Sequence, residues 1–529
     1  MWEGDNLVRN ILIDPDDTNR IFASTGIFDS EPANSDENAE IPGGVGILRS
    51  FDGGASWEEL DEKNGLKVDE LYLGTLDMHP DDSDILLTAA DSAPYVPILD
   101  RELGGVYRTE DGGDTWTEVS PYPANAVGFC SGNPDVAYAI GGSISRSTNG
   151  GKTWELISEG WGPPGINVGI PIDVECDPRD EDRVFVNNYG GGNFISEDGG
   201  ESWANASKGY TGARMSDVAV SMSDANIAYV SGRTGVFRTD DAGQTWEGIA
   251  YNEHLVELAG LSVDPGDDDH VILSFDGPRW PVQTFDAGKT WQVSDLSHLF
   301  GDPTNGQMVP DFVFSPGDSE VIIGAANNLG CWAGHELGGC YAQGGGLIYS
   351  HDNGQTWNHS NITDKTVLSA TISPAEGAAM YASVFEGGVY RSDDEGKTWS
   401  LVNDNPLDGE ADDRMFITVD VDDDQKIFGG LHDGGVAISE DGGKTWDIAS
   451  SGMDSEANVI GIVVDPNDSQ VVYASATNAG VYVSTDGGST WTPMNEGLIV
   501  KATTRMSLSA GSDVLWVGTI GAGVFQRGG

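Results

Sequence analysis

Short apolar runs alternate with polar turns along the whole chain. Residues 459–466 read VIGIVVDP, a nearly continuous apolar run typical of a strand that is covered on both faces. A polar turn, NDSQ, separates it from a second apolar run, VVYASA, and a third run, AGVYVS, follows. The segment WTPM, at residues 491–494, has the pattern of a fourth strand. Four short strands within one repeat predict a four-stranded antiparallel sheet.

This pattern recurs around an octet of the form Ser/Thr-x-Asp-x-Gly-x-Thr/Ser-Trp or a close variant of it. The octet occurs ten times, beginning at Ser50, Thr109, Ser147, Ser196, Thr239, Thr284, Ser350, Ser392, Ser439 and Ser484. The mean spacing, (484 − 50)/9, is about 48 residues, which falls in the range of one propeller blade.

The residues of the octet are those of a tight turn. Aspartate accepts hydrogen bonds from backbone N–H groups of its own loop, glycine supplies positive φ, and tryptophan brings a large apolar surface. Catalysis or calcium binding is the alternative role for these aspartates. Ten copies cannot all be active sites, so we expect the octets to be structural. The sequence contains no HExxH, P-loop or dinucleotide-binding motif, and we expect no cofactor and no metal.

The octet resembles the Asp-box, or BNR repeat. Sialidases, xyloglucanase-type glycoside hydrolases of family 74, sortilin-type receptor propellers and photosystem II assembly factors share this repeat. The resemblance covers nearly the whole chain and implies an all-β fold, a β-propeller. It implies no single function, because these families hydrolyse glycans, bind peptides or assist assembly.

The repeats predict one large propeller of 10–11 four-stranded antiparallel blades over residues 1–529. After the tenth octet the chain supplies three more strands and then ends at Gly529. The first residues, MWEG, match Thr245–Gly248, which follow an octet's turn. We therefore expect the last blade to consist of about 503–529 plus 1–5, so that the N-terminal strand closes the ring. The alternative is two smaller propellers packed together.

The charge of the chain limits its partners. It has 86 acidic and 26 basic residues, a net charge of −60, spread along its length. Such a field repels nucleic acid and anionic membranes, and concentrated salt screens its self-repulsion. We expect a protein of a halophilic organism. The sequence shows no apolar run of 18 residues and no signal peptide, so we expect no membrane insertion. The oligomeric state stays open.

Four cysteines are present. Cys130 and Cys176 occupy equivalent places late in the first strands of consecutive repeats. Sheets pack roughly 10 Å apart, which exceeds the reach of a disulfide, so we expect two buried free thiols. Cys331 and Cys340 lie close in sequence and could form a disulfide, which would favour an extracellular or cell-surface location.

Loops between second and third strands, and between repeats, should share the face opposite the octets. Ten of the 15 tryptophans belong to octets, whereas Trp161, Trp280 and Trp332 fall in predicted loops of this second face. Exposed aromatic side chains there could stack against sugar rings. Alternatively, they cap the edges of the sheets as local core.

Four acids each follow a second strand and are candidate catalytic residues: Asp91, Asp276, Glu386 and Asp433. In the family 74 hydrolases a catalytic aspartate follows a second strand, and the segments ILLTAAD and IFGGLHDGG resemble that context. Glycoside hydrolysis requires two carboxyl groups roughly 5–10 Å apart. Glu386 and Asp433, beside His432, are the best pair because they lie in consecutive repeats. Alternatively, they are solvated acids of a halophilic surface.

Arginine is scarce, yet Arg9, Arg414 and Arg505 stand at or near the start of first strands. Together they could bind an anionic sugar or another carboxylate, or they could simply pair with neighbouring acids. Two functions therefore stay open. One is an extracellular propeller that binds or hydrolyses glycans. The other is a non-catalytic, sortilin-like scaffold that binds a protein or peptide in its channel.

Overall fold

In a computed structural model, the chain divides into two compact units. Unit 1 comprises Met1–Pro163 and Val168–Tyr210, and unit 2 comprises Pro164–Asn167 and Thr211–Gly529. The structure describes residues 8–25, 45–67, 71–92, 104–163, 170–189, 192–206, 214–232, 235–249, 258–275, 279–301, 307–328, 344–374, 379–407, 414–432, 434–509 and 514–528.

Unit 1 contains four antiparallel sheets, each of four strands that pair in chain order. Sheet 1 consists of β1 Val8–Ile13, β2 Ile21–Thr25, β3 Ile47–Ser50 and β4 Glu58–Leu60. Sheet 2 consists of β5 Leu71–Met78, β6 Leu86–Ser92, β7 Gly104–Thr109 and β8 Thr117–Ser120. Sheet 3 consists of β9 Ala126–Phe129, β10 Ala137–Ile140, β11 Ile144–Ser147 and β12 Glu155–Ser158. Sheet 4 consists of β13 Ile170–Asp177, β14 Asp180–Tyr189, β15 Gly192–Ser196 and β16 Ala204–Asn205.

Unit 2 contains six sheets of the same kind and a seventh with three described strands. Sheet 5 consists of β17 Met215–Val220, β18 Ala228–Gly232, β19 Gly235–Thr239 and β20 Glu247–Gly248. Sheet 6 consists of β21 Leu258–Asp264, β22 Asp267–Phe275, β23 Val282–Thr284 and β24 Gln292–Val293. Sheet 7 consists of β25 Gln307–Ser315, β26 Asp318–Asn328, β27 Gly346–His351 and β28 Asn358–His359. Sheet 8 consists of β29 Val367–Ile372, β30 Met380–Val384, β31 Gly388–Ser392 and β32 Ser400–Asn403.

The remaining strands of unit 2 complete this series. Sheet 9 consists of β33 Met415–Val419, β34 Ile427–Leu431, β35 Gly435–Ser439 and β36 Asp447–Ile448. Sheet 10 consists of β37 Val459–Asp465, β38 Asp468–Ala476, β39 Gly480–Ser484 and β40 Thr492–Pro493. Sheet 11 consists of β41 Thr503–Leu508, β42 Val514–Thr519 and β43 Val524–Gly528. A 3₁₀-helix at Glu62–Asn64 in unit 1 and a one-turn α-helix at Ser297–Phe300 in unit 2 interrupt the described strands. The eleven antiparallel sheets confirm the all-β propeller fold.

Each octet forms the turn between the third and fourth strands. In the octet at Ser439, the Ser439 hydroxyl donates to Asp441 and accepts from the backbone N–H of Gly443. The carboxylate of Asp441 also accepts from the backbone N–H and the hydroxyl of Thr445, at 2.9 and 2.8 Å. Equivalent contacts recur in the other octets, for example around Asp52 and Asp486. The aspartates therefore hold the turn together, as expected of a structural role.

The octet tryptophans lie between sheets. For example, Trp116 joins the core between sheets 1 and 2, and Trp491 joins the core between sheets 9 and 10. In unit 2, Trp246 of sheet 5 packs against Trp516 of sheet 11, with ring centroids 5.8 Å apart. Sheet 11 therefore takes the place that precedes sheet 5.

The first strands of unit 2 contact one another in a cycle. Each contacts the first strand of the next sheet, and β41 of sheet 11 contacts β17 of sheet 5. The backbone N–H of Val220 in β17 donates to the Ser507 hydroxyl in β41. A single domain over residues 1–529, with all sheets in one ring, stays a prediction, and this cycle favours the alternative of smaller propellers. The predicted N-terminal strand at residues 1–5 lies outside the described residues.

Polar side chains connect neighbouring first strands. In unit 1, the carboxylate of Asp77 in β5 accepts from the backbone N–H of Phe129 in β9, at 2.6 Å. In unit 2, Asp217 in β17 accepts from the N–H of Leu261 in β21, at 3.1 Å. The first strand is the inner edge strand of its sheet, so the N–H groups on its outer side have no partner strand in that sheet. These side-chain bonds satisfy such N–H groups.

The expectation of free thiols at Cys130 and Cys176 is wrong. These residues form a disulfide, with their Cα atoms 5.0 Å apart. The estimate of 10 Å applies to sheets stacked face to face, whereas first strands of consecutive sheets approach much more closely. Glycine makes this approach possible: a Cβ atom on Gly128 would lie 2.7 Å from the carbonyl oxygen of Val174. Cys331 and Cys340 lie outside the described residues.

Candidate functional site

The hairpins between second and third strands in unit 2 lie beside the starts of first strands. The backbone N–H of Phe385 donates to the carbonyl of Thr366, and that of His432 donates to the carbonyl of Arg414. These bonds hold the hairpins of sheets 8 and 9 at the inner edge of their sheets. Side chains after the second strand are therefore presented where first strands begin, as the sequence predicts. We call the hairpins at 385–387 and 432–434 the rim hairpins.

Glu386 occupies the tip of the first rim hairpin. Its side chain is exposed, and its backbone has φ of 50°, in the left-handed region that non-glycine residues rarely adopt. The equivalent residue of sheet 10, Asn478, has a structural role: its side chain accepts from the N–H of Asn458 and donates to the carbonyl of Glu456. Glu386 therefore differs from Asn478, because its carboxylate is exposed and its backbone is strained. Backbone strain of this kind is frequent in functional loops.

Arg414 and His432 form a polar pair at the second rim hairpin. The Nη2 atom of Arg414 lies 3.0 Å from Nδ1 of His432. Because a guanidinium group can only donate, Nδ1 of His432 is the acceptor in this contact. The guanidinium cation of Arg414 therefore lies next to His432, which precedes Asp433 in the sequence. Asp433 itself lies outside the described residues.

Arg505 lies at a different position, inside unit 2. Its Nη1 atom is 2.6 Å from Oδ1 of Asp311 in sheet 7 and 3.7 Å from Oδ2 of Asp217 in sheet 5. The three side chains line a cavity of about 250 Å³, together with first-strand residues such as Ser369, Ile417 and Gly461. The cavity thus lies where the first strands of the cycle meet.

The charged groups of Asp217, Asp311 and Arg505 strongly affect one another in this cavity. Burial raises the pKa of Asp217 to about 6, although the Arg505 cation and backbone N–H groups oppose the rise. Burial would lower the pKa of Arg505, but the two carboxylates outweigh it and raise that pKa above its usual value. The buried carboxylates of Asp217 and Asp311 are therefore engaged with a half-buried cation. Such a cluster connects three sheets across the cavity.

Unit 1 has its own group of ionisable residues on first strands. Burial raises the pKa of Asp77 to about 7, and it also raises the pKa of Asp173 and of Glu175 in β13. Arg9 in β1 donates to the carbonyl of Pro171 at 3.1 Å, and its charge opposes the rise at Asp173. Asp91, at the end of the second strand β6, accepts a hydrogen bond from Asn125 at 3.3 Å.

The two described loop tryptophans pack against protein. Trp161 is half-buried in unit 1: it donates to the carbonyl of Gly141, and its ring lies 4.9 Å from that of Trp203. Trp280 in unit 2 is half-buried against Phe300, with ring centroids 6.1 Å apart. Trp332 and the candidate acid Asp276 lie outside the described residues. A role for these residues in binding sugars stays a prediction.

The structure thus separates the candidate residues into groups. Within unit 2, Glu386 and His432 belong to the rim hairpins and Arg414 contacts His432, whereas Arg505 lies at the cavity. Arg9 and Asp91 are on different sheets of unit 1. Sequence reasoning missed Asp77, Asp217 and Asp311. Each is an acid within a mostly apolar first strand, as in the segment MSDVAV. An acid at such a position is the feature of the sequence that could have indicated a buried carboxyl group.

None of the helices in the described ranges is long and apolar enough to cross a membrane. The same ranges contain no group of three or more His, Cys, Asp or Glu side chains that could hold a metal ion.

Comparison with known proteins agrees with the repeat. A family model described as BNR/Asp-box repeat matches residues 348–359, 390–401 and 482–493. The chain thus contains Asp-box repeats and resembles xyloglucanases in sequence. Xyloglucanase Xgh74A of Acetivibrio thermocellus is 24% identical over 307 residues, which cover 54% of the chain and 32% of that enzyme. An oligoxyloglucan-reducing end-specific xyloglucanase of Emericella nidulans is 30% identical over 219 residues, which cover 38% of the chain and 24% of that enzyme.

Solved structures match the chain at low sequence identity and low TM-score. A GH74 enzyme of Niastella koreensis matches 99% of the chain and 91% of its own length, with 14% identity and a TM-score of 0.31. YCF48 bound to D1 peptide matches 60% of the chain and 92% of its own length, with 15% identity and a TM-score of 0.43. The chain spans about a third of the length of the Acetivibrio xyloglucanase.

Proposed function

We propose that the chain is an extracellular protein that binds a polysaccharide and hydrolyses a glycosidic bond in it. The observation that carries this proposal is the sequence similarity to xyloglucanases, which extends over 54% of the chain. The substrate class that follows from it is a β-glucan with side chains, of the xyloglucan type. The rim hairpins of unit 2 are the proposed site, because they combine an exposed, strained carboxylate with a polar pair.

In this proposal, Glu386 and Asp433 supply the two carboxyl groups that glycoside hydrolysis requires. The guanidinium of Arg414 lies beside His432, the residue before Asp433. One of the two would act as the general acid and the other as the base or nucleophile. Arg414 and His432 would position the sugar by donating hydrogen bonds to its hydroxyl groups.

Two further features support the proposed location and habitat. A disulfide between Cys130 and Cys176 is typical of proteins outside the reducing cytoplasm. The net charge of −60 is typical of proteins that work in concentrated salt. We therefore place the activity outside the cell of a halophilic organism.

The test is cleavage of a panel of polysaccharides, xyloglucan included, in molar salt by the full chain. We expect products whose release is reduced at least roughly 100-fold in Glu386→Gln and in Asp433→Asn, since each removes one of the two carboxyl groups. Glu440→Gln is the matched control, because Glu440 is an exposed acid of sheet 9 in an octet turn. Full activity in both rim variants would refute the assignment of these residues.

Binding measurements separate the proposal from its alternative. Both rim variants should still bind the polysaccharide, since removing a catalytic carboxyl group leaves the sugar contacts in place. A chain that neither binds nor cleaves any glycan of the panel in high salt would favour the non-catalytic scaffold that binds a protein or peptide.

A further inference from the structure

The cavity of unit 2 contains hydrogen-bond donors that the ion pairs leave unused. Arg505 contacts Asp311 and Asp217 through Nη1 alone, at 2.6 and 3.7 Å. Its Nε and Nη2 atoms form no hydrogen bond with any residue in the described part of the chain, and 25% of the side chain is exposed. The second edge of the guanidinium therefore offers two N–H donors in the fixed fork geometry of arginine.

An acceptor with spare capacity lies beside these donors. Asp311 accepts from Arg505 through Oδ1, and its Oδ2 atom has no hydrogen-bond donor among the described residues. Asp217 differs, because its carboxylate already accepts from the backbone N–H groups of Val218 and Leu261. The ion pair of Arg505 with Asp311 thus presents both a donor edge and an acceptor oxygen to a ligand.

The wall of the cavity includes an aromatic residue. Phe416 of sheet 9 lines the cavity and is half-buried. The residues on either side of it, Met415 and Ile417, belong to the core between sheets 8 and 9, so the side chain of Phe416 lies on the other face of β33. An aromatic ring in this position gives an apolar surface on which the C–H groups of a ligand can pack.

Charge decides which kind of ligand suits these groups. The cation of Arg505 already faces two acids, Asp311 and Asp217, and burial raises the pKa of Asp217 to about 6. A ligand carboxylate would place a third acid next to these two, and a ligand ammonium group would be repelled by the guanidinium. A neutral ligand with hydroxyl groups avoids both costs, because a hydroxyl can accept from a guanidinium and can donate to a carboxylate.

We propose that the cavity of unit 2 binds a neutral monosaccharide through two adjacent hydroxyl groups. One hydroxyl accepts from Nε and Nη2 of Arg505, its neighbour donates to Oδ2 of Asp311, and the sugar ring packs against Phe416. The volume of about 250 Å³ lies below the roughly 300–1,000 Å³ of pockets for drug-sized ligands, which favours a single sugar ring over a chain. This site is separate from the rim hairpins, and the inference does not rest on the proposed hydrolysis of glycans.

Titration calorimetry of the full chain tests the charge of the ligand with three probes that share one ring. We expect saturable binding of D-glucose. D-glucuronate and D-glucosamine should bind at least roughly 10-fold more weakly, because each places a charge beside a like charge of the cavity, where salt screens little. No saturable binding of D-glucose, or tighter binding of either charged sugar, would overturn the proposal.

A conservative variant tests the donor edge. Arg505→Lys keeps a positive charge beside Asp311 and removes the fork of the guanidinium. We expect the affinity for D-glucose to fall at least roughly 10-fold, because a hydrogen bond from a charged donor is lost. Arg391→Lys is the matched control: Arg391 pairs with Asp393 in sheet 8, outside the cavity, and its replacement should leave the affinity unchanged. Native affinity in Arg505→Lys, or an equal loss in both variants, would contradict a site at Arg505.

A change of preference tests the acceptor and does not depend on a loss of binding. Asp311→Asn removes one negative charge and keeps the shape of the side chain, so D-glucuronate should gain affinity relative to D-glucose. An unchanged ratio of the two affinities would contradict the placement of the sugar beside Asp311. Glu386→Gln locates the site, because binding in the cavity should not respond to a change at the rim hairpins. Loss of D-glucose binding in Glu386→Gln would place the sugar at those hairpins and overturn the proposal.

Discussion

Arg505 of sheet 11 and Asp311 of sheet 7 form an ion pair of 2.6 Å across the cavity of unit 2. The two residues are 194 positions apart in the sequence, and their strands, β41 and β25, are not neighbours in the cycle of sheets. Asp217 of sheet 5 lies 3.7 Å from the same guanidinium nitrogen. One cation therefore connects three sheets, in addition to the contacts between adjacent first strands.

Replacing the cation should destabilise unit 2. Arg505→Met leaves Asp217 and Asp311 buried without their counter-charge, and we expect the free energy of unfolding to fall by about 2–3 kcal/mol. Urea unfolding of the full chain measures it. Lys501→Met, at an exposed residue just before β41, should have little effect. Adding Asp311→Leu to Arg505→Met should restore part of the loss. A double variant less stable than Arg505→Met would contradict this explanation.

The disulfide should stabilise unit 1. Cys130 and Cys176 are 46 residues apart, so the bond restricts a long loop of the unfolded chain. Replacing both cysteines by serine should lower the free energy of unfolding by about 2–4 kcal/mol. The measurement is thermal unfolding with and without a reductant. The reductant should lower the Tm of the native chain and leave that of the double variant unchanged; a native chain insensitive to complete reduction would show that the bond adds no stability.

The pH dependence of stability should reflect Asp77. Burial raises its pKa to about 7, and the nearby carboxylates of Glu175 and Asp173 add to the rise, against hydrogen bonds from Phe129 and Met78. In the unfolded chain an aspartate titrates near about 4. Between these values the folded state binds more protons than the unfolded state, so stability rises as the pH falls from about 7 towards about 4.

Asp77→Asn tests the direction of this pH dependence, because it removes the titrating group and keeps the shape of the side chain. On acidification from about pH 7.5 to about pH 5, we expect the Tm of the native chain to rise on the order of 2–4 °C more than that of the variant. Octet aspartates such as Asp52 and Asp486 do not contribute to the change in Tm over this pH range. Hydrogen bonds lower their pKa to about 2, so their stabilising effect is lost only below about pH 4. Parallel Tm curves for the two proteins would show that Asp77 does not titrate here.

Much of the fold could be predicted because the repeat is local. The octet specifies its own turn through contacts between residues two to four positions apart, so ten copies reveal ten sheets. The disulfide between Cys130 and Cys176 could not be predicted from the repeat, because it depends on how closely the first strands of consecutive sheets approach each other. The ion pair of Arg505 with Asp311 depends on the cycle of sheets in unit 2, which no local pattern specifies. The positions of the rim hairpins followed from strand order alone, whereas the strained backbone of Glu386 did not.

The octet aspartates should act without calcium. Asp441 accepts hydrogen bonds from the Ser439 hydroxyl and from the backbone N–H and hydroxyl of Thr445, so protein donors already engage its carboxylate. Asp441→Ala removes all of these bonds, and we expect a loss of about 1–3 kcal/mol in the free energy of unfolding. Asp441→Asn keeps one acceptor oxygen and should lose less. Chelation of divalent cations by EDTA should leave the Tm of the native chain unchanged at constant ionic strength. A fall in Tm on chelation that is absent in Asp441→Ala would instead show that a cation binds at this octet.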